Sequence, residues 1–193
     1  MKKILILFGG NSFEHEISCM SVNFIKENID TKLFNYELVG IDKSNNWHIV
    51  DKNQTISPDW THNIVDTIDN IINYLKKFDV VFPITHGTNG EDGIFEGLLE
   101  TIGIPFAGCN TLSSANGMDK ITMKMILKEC DIPVVDYVWF TDRQWFNERE
   151  QLIAKIEEKI GYPVIVKPAN LGSSVGIGKA SNREELIEKV NHA

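Results

Sequence analysis

A regular alternation of short apolar runs with segments of helical periodicity is the feature that most constrains the fold. Residues 4–8 form a continuous apolar run, as in strands that are covered on both faces. The next segment repeats apolar residues at i, i+4, i+7 and i+11, which predicts a helix with one apolar stripe. That stripe consists of Phe13, Ile17, Met20 and Phe24. Such alternation is typical of βαβ units, so the sequence predicts an α/β fold with a mainly parallel sheet.

The rest of the first half can be divided in the same way. Residues 37–42 read as a strand, and residues 44–46 as a hairpin turn because Ser and Asn favour turns. Residues 51–62 are polar and predict a surface excursion. Two more apolar stripes predict helices, and the apolar run at 80–84 predicts a strand between them. The stripes are Ile64, Ile68, Ile71 and Leu75, then Ile94, Leu98 and Ile102 before Gly103.

The pattern becomes less Rossmann-like near residue 117, which places a domain boundary there. Residues 1–117 are predicted to form a Rossmann-like domain, and residues 118–193 the start of an α+β domain. Because the chain stops on an uncompleted α/β unit, we expect it to be the front part of a longer protein.

The second region has its own predicted elements. A helix follows Gly117, and another carries Ile153, Ile156 and Ile160. A capping box at residues 181–184 predicts the start of the last helix. Strands are predicted at 137–140 and 164–167, with a shorter one ending near residue 179.

Composition excludes some classes of function. The net charge of −8 argues against DNA or RNA as a partner, because nucleic-acid binding rests on neutralising phosphates. No apolar run approaches the roughly 20 residues that span a bilayer, so no membrane partner is expected. The three cysteines lack CxxC spacing, which is typical of a reducing compartment and predicts a cytoplasmic protein. They are Cys19, Cys109 and Cys130.

The first candidate motif is GGNSFEHEIS at residues 9–18, directly after the first predicted strand. Glycines at a strand-to-helix turn let backbone approach a ligand, and the helix start favours anions. The motif is not GxGxxG, so a dinucleotide site is disfavoured. A ligand site and a tight turn with solvated carboxylates remain equally open from these residues alone.

The second motif is THGTNGEDG at residues 85–93, after the predicted strand 80–84. Ligands of open α/β sheets bind outside the carboxyl ends of strands, where His86 would lie. A structural role for this histidine remains the alternative. For Glu91 and Asp92 the structural interpretation is favoured, because acids in the first turn of a helix offset its dipole.

Two further motifs are MDK at residues 118–120 and VKPANLGSSVG at residues 166–176. Lys167 is predicted to end a buried strand, and a buried lysine needs a partner. The Gly/Ser run that follows has hydroxyls and free N–H groups suited to covering a phosphate. It lacks the Lys-Ser/Thr ending of a P-loop, and a flexible surface hairpin is the alternative.

These four motifs, in this order, resemble the D-alanine–D-alanine ligase family of ATP-grasp enzymes. The resemblance covers nearly the whole chain but only the first part of a family member. It implies a pre-ATP-grasp domain at 1–117 and a partial ATP-grasp central domain at 118–193. It also implies a cytoplasmic enzyme of peptidoglycan synthesis, ATP and D-alanine as ligands, and a homodimer.

The resemblance also implies roles for individual residues. Glu14 matches the glutamate that holds the ammonium of the first D-alanine, and His86 the histidine near its carboxylate. Lys120 and Lys167 match the two lysines that contact ATP phosphates. Ser173 matches the loop serine that is expected to link by a hydrogen bond towards Glu14, and is catalytic with it. The neighbouring serine, Ser174, matches a phosphate contact.

Other parts of the family's machinery are expected beyond Ala193, including the Mg²⁺ ligands, so no metal ligand is assigned here. The chain alone is therefore expected to be inactive, with a mobile Gly/Ser loop. The second substrate could also be D-serine or D-lactate, as in related ligases. Two further alternatives are an ATP-grasp ligase with another substrate, which the first two motifs disfavour, and a non-catalytic D-amino-acid-binding module.

Overall fold

The computed structural model describes all residues from Met1 to Ala193. The chain divides into two compact units, Met1–Gly117 and Met118–Ala193. No helix is long and apolar enough to cross a membrane.

The first unit is built on a five-stranded sheet in the order β4-β3-β2-β1-β5. Its central strand, β1, pairs in parallel with β2 on one side and with β5 on the other. β3 and β4 extend the sheet as antiparallel strands. The predicted α/β class with parallel central strands is confirmed. The strands are β1 (Lys2–Gly9), β2 (Phe34–Ile41), β3 (Trp47–Val50), β4 (Ile64–Thr67) and β5 (Val80–Pro83).

Helices and two apolar clusters complete the first unit. Successive residues of β1 point to opposite faces of a sheet. Accordingly, Leu5 and Leu7 lie in one cluster and Ile6 and Phe8 in the other. The central strand is therefore covered on both faces, as its apolar run predicts. The helices are α1 (His15–Asn28), a 3-10 turn (Trp60–Asn63), α2 (Ile71–Leu75), α3 (Ile94–Ile102) and α4 (Thr111–Met118).

The apolar stripe that predicted α1 does not face the core. Phe13 is 82% exposed and Met20 is 66% exposed, and Ile17 and Phe24 are also exposed. The buried face instead carries His15, Ser18, Cys19 and Val22. Small and hydrogen-bonded side chains let this face approach the sheet closely, so periodicity identified the helix but not its buried side.

Two predictions in the first unit are wrong. The stripe starting at Ile64 does not mark one helix, because residues Ile64–Thr67 pair with β3 as a strand and only Ile71–Leu75 is helical. Asn70 caps that short helix by accepting from the amide of Asn73 at 2.9 Å. Nor is the polar segment at 51–62 simply a surface excursion, since Trp60 within it is 1% exposed.

The second unit pairs two short antiparallel strands and packs helices around a separate apolar cluster. Its elements are α5 (Lys120–Glu129), α6 (Asp142–Lys159), β6 (Val164–Val166), β7 (Gly178–Ala180) and α7 (Arg183–His192).

Three predictions for the second unit need correction. Residues 137–140 form no strand, because no neighbouring strand pairs with them, although Val138 and Phe140 are partly buried against the apolar cluster. The helix expected after Gly117 begins instead at Lys120, after α4 and the capping residue Asp119. The last helix is capped by Asn182, which accepts from the amide of Glu185, one residue later than predicted.

Candidate functional site

The turn after β1 requires glycine and is tied to the ends of two strands. Gly9 has a φ of +88°, and a Cβ there would lie 2.3 Å from the carbonyl oxygen of Ile41. Its amide donates to Ser18 Oγ at 2.8 Å, and that hydroxyl donates to the carbonyl of Ile84 at 2.6 Å. The fully buried Ser18 of α1 therefore joins the carboxyl ends of β1 and β5.

Glu14 lies at the start of α1 and is 8% exposed. Its amide donates to Ser12 Oγ at 3.1 Å, and that hydroxyl donates to the carbonyl of His86 at 2.6 Å. A Cβ on Gly87 would lie 2.3 Å from Glu14 Oε2. The loop after β5 therefore passes directly beside the Glu14 carboxylate, which brings the two predicted substrate residues into one region.

His86 is partly exposed and is held between two side chains. Its Nε2 lies 3.2 Å from Ser21 Oγ, and its Nδ1 lies 3.7 Å from Glu91 Oε1. Because the Ser21 hydroxyl donates to the carbonyl of Ile17 at 2.9 Å, it accepts from His86 Nε2–H. Ser21 is a contact of His86 that the sequence motifs did not indicate. Its position two helical turns after Glu14 was the available signal.

The carboxylates of the second motif serve the loop's own backbone. Glu91 Oε2 accepts from the amide of Gly87 at 2.7 Å. Asp92 accepts from the amides of Asn89 and Ile94, at 2.8 and 3.1 Å, at the start of α3. These bonds hold the loop in shape and agree with the structural interpretation of both acids.

A cavity of about 170 Å³ opens at the carboxyl ends of the strands. This volume is below the roughly 300–1,000 Å³ of pockets for drug-sized ligands and suits a small molecule. Glu14 does not line it. Thr85 does line the cavity, and its Oγ1 has no hydrogen-bond partner. Oε2 of Glu96, in helix α3, also has no hydrogen-bond partner. The lining includes Gly10, Asn11, Trp47, His86, Asn89 and Phe95.

The remaining histidines have other surroundings. His15 Nδ1 lies 2.6 Å from the carbonyl of Gly10, and Trp60 Nε1 donates to His15 Nε2 at 3.3 Å. The ring of His48 lies between Thr67 and Asp42. His62 and His192 are exposed. His86 is therefore the one histidine that lines the cavity.

In the second unit, Lys120 lies against the backbone before the Gly/Ser loop. Its Nζ donates to the carbonyls of Ala169 and Leu171, at 3.3 and 2.5 Å. Burial lowers the pKa of Lys120, and the nearby charge of Lys167 lowers it further. Two cations that repel each other in this way form a place where an anion is favoured.

Lys167 differs from its prediction, because it follows β6 rather than belonging to it and is exposed. Ser173 and Ser174 lie in the turn between β6 and β7, both exposed and with φ of +44° and +65°. At the base of this loop, a Cβ on Gly176 would lie 2.6 Å from Pro168 Cγ. Lys167 and both serines therefore lie at the surface of the second unit.

No group of three or more His, Cys, Asp or Glu side chains is arranged to hold a metal ion.

The first unit thus has glycine turns and polar side chains gathered at the carboxyl ends of parallel strands. This arrangement defines an α/β protein of the class that binds small ligands at the edge of an open sheet.

Comparisons with known proteins identify the family. Residues 3–109 match the family model for the D-ala D-ala ligase N-terminus, and residues 126–193 that for the D-ala D-ala ligase C-terminus. The chain belongs to the D-alanine–D-alanine ligase family. A D-alanine–D-alanine ligase of Acetivibrio thermocellus is 41% identical, over all of this chain and 58% of the relative. A D-alanine–D-alanine ligase of Natranaerobius thermophilus is 40% identical, over 100% of this chain and 57% of the relative.

Solved structures agree. The VanG D-Ala:D-Ser ligase from Enterococcus faecalis is 35% identical with a TM-score of 0.84, over 100% of this chain and 59% of that one. The D-alanine–D-alanine ligase from Coxiella burnetii is 28% identical with a TM-score of 0.83. The match covers 100% of this chain and 60% of that one. The chain therefore spans less than two thirds of the length of these relatives.

Proposed function

We propose that the protein carrying this chain joins two D-alanine molecules in an ATP-dependent reaction, as a step towards peptidoglycan. The observation that carries the proposal is the convergence of Glu14 and the His86 loop, through Ser12 and Gly87, in a chain of this family. The homologues named D-alanine–D-alanine ligase support this substrate.

In this proposal the first unit binds the first D-alanine. The carboxylate of Glu14 accepts hydrogen bonds from its ammonium group, a charge-assisted contact inside a largely buried surrounding. His86 presents its ring towards the carboxylate of the same molecule, and Ser21 and Glu91 fix the ring's orientation. Together these groups would hold the amino acid by both of its charged ends.

The second unit is proposed to bind the phosphates of ATP. Lys120 and Lys167 supply positive charge, and Ser174 with the backbone N–H groups of the Gly/Ser loop supplies donors. An anion bound there would relieve the mutual repulsion that contributes to the lowered pKa of Lys120. In these terms the first unit is a pre-ATP-grasp domain and the second is part of the ATP-grasp central domain.

The chemistry follows from these two roles. The γ-phosphate of ATP passes to the carboxylate of the first D-alanine and gives an acyl phosphate and ADP. The amine of the second D-alanine then attacks the acyl carbon, and inorganic phosphate leaves. This chain contributes positioning and electrostatic stabilisation, with Glu14 and Ser173 assigned as catalytic. The expected link between those two residues stays a prediction.

Bound Mg²⁺ would neutralise charge on the phosphate oxygens. Its ligands are proposed to lie in the part of the relatives that this chain does not cover. A cytoplasmic location and a homodimeric assembly are proposed for the whole protein on the same family grounds.

D-Serine is a second candidate for the second substrate, because the similar VanG structure is a D-Ala:D-Ser ligase. The first substrate and its residues would be unchanged.

Phosphate release tests both candidates in an enzyme of the relatives' length that contains this segment. The assay contains ATP and Mg²⁺, with D-alanine alone, with D-alanine plus D-serine, or with neither. We expect release that depends on D-alanine, and a dipeptide whose mass identifies the second residue. The 193-residue chain alone should remain at the blank. Full-length protein that binds D-alanine without releasing phosphate would favour the non-catalytic binding module instead.

A further inference from the structure

A chain of hydrogen bonds runs from the core of the first unit to the glycine turn that leads into Glu14. Trp60 Nε1 donates to His15 Nε2 at 3.3 Å, and His15 Nδ1 lies 2.6 Å from the carbonyl oxygen of Gly10. Because the indole can only donate, His15 Nε2 accepts and Nδ1 carries the hydrogen. The ring therefore donates to Gly10, and each of its two nitrogens has one defined partner.

Both side chains are buried, so water does not compete for these hydrogen bonds. His15 is 4% exposed and Trp60 is 1% exposed. Trp60 also packs by its ring edge on Phe8, with centroids 5.2 Å apart, and lies so close to Gly40 that a Cβ there would be 2.5 Å from the indole. The indole is thus held by the sheet, and it fixes the imidazole in turn.

The segment that carries Trp60 is itself fastened to α1. Asn23 accepts from the amide of Ile56 at 2.9 Å and donates to the Ile56 carbonyl at 2.7 Å. The segment 51–62, whose polarity predicts a surface excursion, is therefore bonded to α1 and carries the indole that contacts His15.

The peptide of Gly10 is held on both sides. Its carbonyl accepts from His15, and its amide donates to the carbonyl of Ile41 at 2.8 Å. Gly10 has a φ of +97°, and a Cβ there would meet nothing within 4 Å, so packing does not hold this residue in place. The hydrogen bonds to His15 and Ile41 therefore fix the backbone direction from Gly10 towards Glu14.

We propose that His15 and Trp60 are positioning residues, which set the place of the Glu14 carboxylate by fixing the Gly10 peptide. The effect on substrate rests on the proposed function, whereas the hydrogen-bond chain does not. Neither residue touches the proposed substrate. Their contribution should therefore be to the binding of the first D-alanine rather than to the chemical step.

The first test uses NMR on the 193-residue chain. It measures the tautomer of His15 and the amide resonances of the turn at residues 10–14. Heteronuclear spectra should place the ring hydrogen of His15 on Nδ1. Trp60→Phe keeps an aromatic ring and removes the donor, so the amide resonances of residues 10–14 should shift. Tyr74→Phe is the matched control, because it removes one hydrogen bond, to Glu37 at 2.7 Å, elsewhere in the same unit. A hydrogen on Nε2, or equal shifts in the two variants, overturns the proposal.

The second test is kinetic, in an enzyme of the relatives' length. Trp60→Phe should raise the KM for the first D-alanine by roughly two- to tenfold, the size of one hydrogen bond, and leave kcat nearly unchanged. Tyr74→Phe should change neither. His15→Asn keeps an N–H near the position of Nδ1 and should recover part of the affinity that His15→Leu loses.

The outcomes separate the two ideas. Equal KM values for His15→Asn and His15→Leu, or a fall in kcat alone, overturn the positioning role. Absence of D-alanine-dependent phosphate release in the wild-type enzyme contradicts the proposed function instead, and the NMR test then still decides the hydrogen-bond chain.

Discussion

The backbone of Gly87 lies directly against the carboxylate of Glu14, at a distance where a Cβ would be 2.3 Å from Glu14 Oε2. A side chain at position 87 would therefore displace the carboxylate. Gly87 also has a φ of +72°, which other residues adopt only with strain.

Gly87→Ala is expected to combine strain with loss of substrate affinity. Gly103→Ala is a matched control, because Gly103 has the same φ of +72° but a Cβ there meets nothing within 4 Å. Both variants should lose roughly 1–2 kcal/mol of stability from the left-handed backbone. Only Gly87→Ala should also raise the KM for D-alanine. Equal kinetics in the two variants would show that the space beside Glu14 does not matter.

His86 is predicted to be the histidine on which D-alanine use depends. His86→Ala should lower kcat/KM by roughly tenfold or more, since a hydrogen bond to a charged group contributes about 1.5–3 kcal/mol. Alanine at the exposed His62 and His192 should leave it nearly intact, as should alanine at His48 once folding is verified. Steady-state kinetics on the four variants measures this. An unchanged kcat/KM in His86→Ala would show that this residue has a structural role instead.

Replacement of the fifth histidine, His15, should have a smaller effect than replacement of His86. His15 lies outside the cavity lining, so its replacement should affect KM moderately and through Gly10 only. A loss at His15→Ala that is larger than at His86→Ala would mean that the wrong histidine was assigned to the substrate.

Phosphate binding is expected to weaken at alkaline pH because of Lys120. Its pKa is lowered, so the ammonium loses its proton at a lower pH than an ordinary lysine does. A bound anion favours the protonated form, and ATP affinity should therefore fall as pH rises through that pKa. Dissociation constants for ATP across the alkaline range measure the effect.

Lys120→Arg serves as the control for that titration, because a guanidinium remains charged throughout the range. The alkaline fall in affinity should disappear in this variant. An equal fall in Lys120→Arg would assign the titration to another group.

Glu96 is expected to destabilise the first unit at neutral pH. It is 5% exposed, its Oε2 has no partner, and burial raises its pKa. The folded state therefore binds the proton more tightly than the unfolded state, and stability is lost as pH rises from the unfolded pKa through the folded one. Glu96→Gln should stabilise the chain by about 1 kcal/mol at pH 8. Urea unfolding should show a smaller gain at pH 5, and an equal gain at both values would contradict this origin.

The sequence predicts the order of elements well where burial is two-sided or where turn residues are explicit. The apolar run of β1 and the Ser/Asn turn before Trp47 are both found as predicted. The periodicity of α1 identified its existence, but the face that packs on the sheet is the one with Ser18 and Cys19. Hydrogen bonds and close approach decided that face, and apolar spacing does not report them.

The site could be predicted in part for a related reason. Motifs at strand ends pointed to the glycine turn and to His86, because the carboxyl ends of neighbouring parallel strands meet at one edge. The role of Glu14 was implied only by the family resemblance. Trp60 could not be found in this way, and Ser21 was signalled only by its helical spacing from Glu14. Each acts through a contact made across the fold, and neither stands in a motif of its own.

Glu14→Gln, in an enzyme of the relatives' length that contains this segment, tests the central claim most directly. The substitution keeps the size of the side chain and removes the charge opposite the D-alanine ammonium, a contact of about 1.5–3 kcal/mol. The measurement is kcat/KM for D-alanine from phosphate release, on protein whose folding matches the wild type. The account predicts a fall of roughly tenfold or more. Unchanged kinetics would contradict it and leave Glu14 as a buried residue of the turn.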